Sequence, residues 1–158
     1  MPGPATTVDE ANDIISVGRP LPRIGSVEPL DGRRVRLTWS RGERAGEAEV
    51  LDLAPAIFNH RHFIPLRRDD QLFRQVQITD WGSALEWPGD IALSAEWIER
   101  LPRTVMTNSQ FRTAMDALHL TLDGMAATLG VARRLIAAWR KDKPIPPYIA
   151  LAVRQLMG

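Results

Sequence analysis

The sequence contains no cysteine, two lysines and a single tyrosine. The missing cysteine excludes disulfides, thiolate metal sites and a cysteine nucleophile. No apolar run approaches the roughly 20 residues a membrane helix needs. No charged-then-apolar signal pattern opens the chain. A cytoplasmic protein without a membrane partner is the expectation. The scarcity of lysine is balanced by 18 arginines, a preference that carries no mechanism. What is present is ordinary: 44% apolar and 25% charged residues over 158 positions. That composition excludes a wholly disordered chain and suits one or two small domains.

The net charge of +1 conceals an asymmetry. Residues 1–102 hold 12 Arg and Lys against 16 Asp and Glu, a net of −4. Residues 103–158 hold 8 against 3, a net of +5. An acidic front and a basic back predict two modules, the second suited to a polyanion. The division expected is an N-terminal arm over 1–24, an α+β domain over 25–102 and a helical domain over 103–158.

In the arm, Val8 to Ile15 suits a short helix between the breakers Pro2, Pro4, Pro20 and Pro22. Strand signals start near Gly25. Val27 to Leu30 precedes Asp31-Gly32, a hairpin turn signal. Val35, Leu37 and Trp39 then alternate with Arg34, Arg36 and Thr38, the pattern of a half-buried strand. Glu47 to Leu53 reads as a third strand and Ala54 to Phe58 as one helical turn. Leu72 to Ile78 reads as extended, with Val76 and Ile78 on one face. Trp81-Gly82 turns the chain into a last strand carrying Leu85 and Trp87, which Pro88-Gly89-Asp90 ends. Ser94 caps a short helix with Trp97, Ile98 and Leu101. The fold class is therefore α+β, a small antiparallel sheet followed by a bundle of four to five helices.

From Thr107 the period is helical. Thr107 to Gln110 fits a capping box, and Phe111, Ala114, Met115 and Leu118 share one face. Thr121 suits the cap of a second helix ending near Gly130. A third helix runs from about Ala132 to Lys141. A fourth starts at Pro146 or Pro147, with Ile149, Ala152, Val153 and Leu156 inward. A helix-turn-helix needs a small residue where two helices touch, glycine at the reversal, and apolar residues holding the second helix. Met125, Ala126, Leu129, Gly130, Val131, Ile136 and Trp139 satisfy these needs at the required spacing from Leu122. Seven such matches arise by chance in about 1 window of 8,000, if positions are independent.

Residues 106–156 resemble the phage-repressor-like (Xre/Cro type) helix-turn-helix family. The resemblance rests on Met106-Thr107, Phe111-Arg112, Leu118 to Thr121, Ala126, Leu129-Gly130-Val131, Arg133-Arg134, Ile136, Trp139 and Pro144-Ile145-Pro146. Two positions depart from the family pattern: His119 replaces a helix-ending glycine, and Asp142 replaces a glycine after the third helix. The resemblance implies a recognition helix from about Ala132, lying in the major groove of double-stranded DNA. Base edges would fall to Arg133, Arg134, Ala132 and Ala138, since arginine pairs with guanine and a methyl can touch thymine. Phosphates would fall to Arg140, Lys141 and Lys143 after that helix, and to Gln110 and Thr121 at helix starts.

Residues 25–101 resemble a small bacterial α+β domain of unknown function, some members of which neighbour toxin–antitoxin genes. The pattern is Val50-Leu51-Asp52-Leu53, His62 to Leu66, Phe73 to Ile78 and Leu85-Glu86-Trp87-Pro88-Gly89. These are apolar and turn residues, so they identify a fold and no chemistry.

Catalytic sets are missing. His60 and His62 share one side of a strand but lack further metal ligands. Asp69, Asp70, Asp80 and Asp90 sit in predicted turns. Ser26, Ser40, Ser83 and Ser94 have no His–Asp partners. Trp39, Trp87 and Trp97 suit inward faces, Trp139 fills a required interior position, and Trp81 is the one tryptophan placed for an exposed contact. The expectation is a non-enzymatic, sequence-specific DNA-binding regulator without cofactor. It would act as a homodimer, because one helix-turn-helix makes few base contacts. The alternative is an antitoxin whose N-terminal domain binds a toxin protein.

Overall fold

The alternation around Trp39 builds the middle strand of a three-stranded sheet. In the computed structural model, which describes residues 20–158, β1 (Arg23–Pro29), β2 (Arg34–Arg41) and β3 (Ala48–Asp52) lie in that order. Asp31-Gly32 forms the predicted hairpin: Gly32 takes φ 75°, and Val27 pairs with Leu37 across antiparallel strands. Val35, Leu37 and Trp39 are buried on one face. The indole of Trp39 donates to Glu49 Oε2 at 2.7 Å, and Arg44 closes an ion pair on the same oxygen at 2.9 Å. These partners allow a carboxylate to sit inside the fold.

After β3 come α1 (Ala54–Ile57), a 3-10 turn over Arg61–Leu66 and α2 (Asp70–Phe73). The helical turn of α2 corrects the extended reading of Leu72 to Ile78, of which β4 (Gln77–Ile78) alone is a strand. Asp69 decides the outcome, because its carboxylate accepts from Leu72 N at 3.0 Å and caps the turn. Phe73 is thereby buried against Trp87, with ring centroids 6.0 Å apart, and its carbonyl accepts from the Trp87 indole at 2.9 Å.

The second sheet orders β4, β5 (Ala84–Trp87) and β6 (Ile91–Ser94), all antiparallel. The β5 strand was expected to end the sheet. Instead Gly89 (φ 93°) and Asp90 (φ 60°) reverse the chain, and Ile91 and Leu93 alternate inward on β6. Ser94 Oγ then accepts from Trp97 N at 3.1 Å at the start of α3 (Ala95–Arg100). Before β5, Gly82 passes so close to Ile24 that a Cβ would strike its backbone. Its neighbour Trp81 is 89% exposed and adopts φ 63°.

The chain divides into two compact units, the first ending at Arg100 and the second running from Leu101 to Gly158, with Val50–Asp52 grouping with the second. The second unit holds α4 (Asn108–Leu118), α5 (Leu122–Leu129), α6 (Arg133–Lys141) and α7 (Pro147–Met157). The architecture is thus α+β, with two small antiparallel sheets where one was expected. The helices bury Phe111, Met115, Met125, Ile136, Trp139, Ile149 and Val153 in one core. On α7 the inward set is Ile149, Ala150 and Val153. Ala152 is only partly buried, and Leu156, predicted inward, is 41% exposed because the core ends one turn before it. No helix among the described residues is long and apolar enough to cross a membrane. The helix expected over Val8 to Ile15 lies outside the described residues.

Candidate nucleic-acid interface

The basic surface of the second unit is built on α5 and α6. Thr121 Oγ1 accepts from Gly124 N at 3.0 Å and caps α5. Gly130 ends that helix with φ 71°, its N–H donating to Ala126 O at 2.8 Å and that of Val131 to the same carbonyl at 3.0 Å. This double closure leaves three residues, Gly130 to Ala132, before α6 begins. Ile136 and Trp139 are buried and fix one side of α6. Trp139 meets Phe111 edge to face at 6.1 Å.

The opposite side of α6 is exposed and basic. Arg133, Arg134, Arg140 and Lys141 all face solvent, and Lys143 does so just beyond. Arg134 has no ion pair or side-chain hydrogen bond among the described residues, whereas Arg133 Nε lies 2.9 Å from Asp123 Oδ1 of α5. Ala132 is exposed and occupies the N-cap of α6 with no side-chain cap, and its carbonyl accepts from Leu135 N at 3.0 Å. Ala138 is partly buried; the exposed small residue one turn from Arg133 is Ala137.

Two α4 residues hold the far end of α6. Asn108 Nδ2 donates to the carbonyls of Trp139 at 2.8 Å and Lys143 at 2.7 Å. Arg112 Nη1 donates to Arg140 O at 2.6 Å. Last-turn carbonyls are thereby satisfied from a neighbouring helix. Sequence reading missed Asn108, Arg112, Asp123 and Ala137. The first three act through contacts between helices, which periodicity along one helix does not encode. Ala137 was knowable from the burial of Ile136 and Trp139 on either side of it.

The two remaining predicted phosphate ligands are engaged at caps. Gln110 Oε1 accepts from Thr107 N at 2.9 Å, completing the capping box, and Gln110 also lines a cavity of about 320 Å³ with Arg103, Ser109 and Arg154. The Thr121 hydroxyl is the α5 cap, though its residue is exposed. His119 supplies the left-handed C-cap of α4 (φ 57°, ψ 39°) without being glycine. Asp142 ends α6 at φ −149° and needs no glycine there. In the first unit, His60 packs on Trp97 at 4.5 Å and His62 on Phe63 at 5.0 Å, both edge to face.

Neither a protein-family model nor a curated protein sequence matches the chain. Among solved structures it is similar to a crystal structure of a Nitrosomonas europaea protein provisionally named as DNA-binding, at 27% identity over 84% of each chain and a TM-score of 0.43.

Proposed function

We propose that this chain is a sequence-specific binder of double-stranded DNA, and a regulator of transcription in the cytoplasm, with no catalysis. The observation that carries the reading is the exposed arginine pair, Arg133 and Arg134, opening a helix whose other side is locked by Ile136 and Trp139. A rigid helix presenting two guanidinium groups suits guanine O6 and N7 in the major groove. The motif positions and the resemblance to the Xre/Cro type helix-turn-helix family support the same docking. Arg140, Lys141 and Lys143 are exposed where the backbone would pass, and phosphate neutralisation supplies affinity. Two copies on a two-fold site would supply the base contacts that one lacks. Tyr148 (66% exposed) and Leu151 (41%) on α7 offer apolar surface for such pairing.

The test is selection of bound duplexes from a random pool with the full chain. An enriched motif is expected, and Arg133→Ala with Arg134→Ala should erase it while the fold persists. An unchanged motif in the double variant would reject α6 as the reading helix.

The antitoxin reading has one observation in its favour. Trp81 combines 89% exposure with a positive φ that bulky residues rarely adopt, and such outliers concentrate at contact sites. That reading predicts co-purification with the product of a neighbouring reading frame, lost in Trp81→Ala.

A further inference from the structure

We propose that residues 8–17 of the chain's own N-terminal arm dock on an apolar and cationic patch of the first unit. The proposal does not depend on DNA binding. The patch forms where α1 meets the 3-10 turn, and Arg67 organises it. Arg67 Nε donates to Ile57 O at 2.8 Å and Nη2 to His60 O at 3.2 Å, and the guanidinium lies over the Phe58 ring at 5.7 Å. Its backbone N–H donates to Ile64 O at 3.0 Å, which ties the turn carrying Ile64 to the same place. Phe58 and Ile64 are 51% and 53% exposed, so two large apolar side chains face solvent beside one fixed guanidinium. A single exposed apolar residue is ordinary, whereas a rigid cluster marks a contact surface. A cleft of about 750 Å³, lined by Ile64, Pro65, Arg67, Arg68 and residues 69–71, continues the patch.

The charge of this surface is as unusual for the first unit as its apolarity. From Leu53 to Arg68 the chain holds three arginines, two histidines and no acidic residue, although residues 1–102 are net acidic. Arg61 and Arg68 are exposed and make no hydrogen bond or ion pair among the described residues. The next acids are engaged elsewhere: Asp69 caps α2, and Asp70 pairs with Arg74 and Arg33. An occupant must therefore bring both apolar side chains and carboxylates.

Residues 8–17 bring both. They contain Asp9, Glu10 and Asp13, no cation, and the apolar residues Val8, Ile14, Ile15 and Val17. At helical spacing Val8, Ala11 and Ile15 fall on one side and Asp9 and Asp13 on another. The connection is short enough. The arm joins the first unit just before Arg23, which pairs with Arg41. In the loop after β2, Arg44 Nη2 donates to Glu99 O of α3 at 2.9 Å, and Trp97 of the same helix packs on His60. That six-residue helix, about 9 Å long, links the place where the arm ends to the patch. Residues 14–20 alone span up to about 20 Å when extended.

The natural chain has no cysteine, so an introduced pair has no competing thiol. Ser16→Cys is combined in the full chain with Asn59→Cys, beside Phe58, or with Ser40→Cys, beside Arg41. Both target positions are exposed. Chain proximity alone favours position 40, whereas docking favours position 59. The disulfide to position 59 should close faster, followed by non-reducing electrophoresis and mass spectrometry. His62→Cys, exposed on the same turn, serves as a second target should Asn59→Cys unfold, and circular dichroism melts check every variant. Arg61→Glu with Arg68→Glu turns two exposed attractions into repulsions and should slow closure about fivefold or more. Adding Asp9→Arg and Asp13→Arg should restore the rate. Equal or faster closure at position 40 overturns the proposal. So does closure to position 59 that forms only between two chains, or a rate unmoved by the charge reversal.

Discussion

His119→Gly should stabilise the second unit. His119 closes α4 in the left-handed region, with φ 57° and ψ 39°, and its N–H donates to Asp116 O at 3.1 Å. A residue with a Cβ is disfavoured there by about 1–2 kcal/mol. Glycine removes that cost but gives the unfolded chain extra freedom, which offsets about 0.4–1 kcal/mol. The His119 side chain is exposed, so little packing is lost with it. The net expectation is a gain of about 0.5–1 kcal/mol, or a rise in the urea midpoint of about 0.3–0.7 M. Helical circular dichroism follows this unit, because α4 to α7 are the longest helices among the described residues. His119→Asn should gain less, because asparagine tolerates this region better than most residues but less well than glycine. An unchanged or lowered midpoint for His119→Gly would refute the argument that strain is held at this cap.

Asn108→Ala removes two donors from the end of α6. It should cost about 1–2 kcal/mol by urea denaturation, with a parallel loss of duplex affinity if α6 reads DNA. The pH dependence has a defined sign at Asp70. The hydrogen bond from Arg74, 2.8 Å from Nε to Oδ2, holds the Asp70 carboxyl below its ordinary value of 3.8. The stability linked to this pair is therefore complete above about pH 4 and is lost as pH falls through the lowered value. Urea midpoints followed from pH 6 to pH 2 should fall less for Asp70→Asn than for the wild type.

Local signals were the legible ones. The Asp31-Gly32 hairpin, the alternation ending at Trp39, the Thr107–Gln110 capping box and the glycine closing α5 each depend on residues within a few positions of one another. The missed features depend on partners elsewhere. Leu72 and Phe73 became helical because Asp69 caps them and the Trp87 ring receives Phe73. The β6 strand hinged on Asp90 tolerating positive φ, which a turn signal alone reads as an end. Leu156 kept the right period but ran past the core. At the candidate interface, the arginines were visible by type and position. Their inequality was not, because Asp123 lies ten residues before Arg133 and meets it only after the turn at Gly130.

The most direct test is the salt dependence of affinity for a mixed-sequence DNA duplex, compared between the wild type and an Arg140→Ala, Lys141→Ala, Lys143→Ala variant. Each neutralised phosphate contributes about −0.9 to the slope of log affinity against log salt. The wild type should show a steep negative slope, and the triple variant a slope shallower by about 2.7. A flat wild-type response, or identical slopes for the two proteins, would contradict the assignment of the α6 surface to nucleic acid.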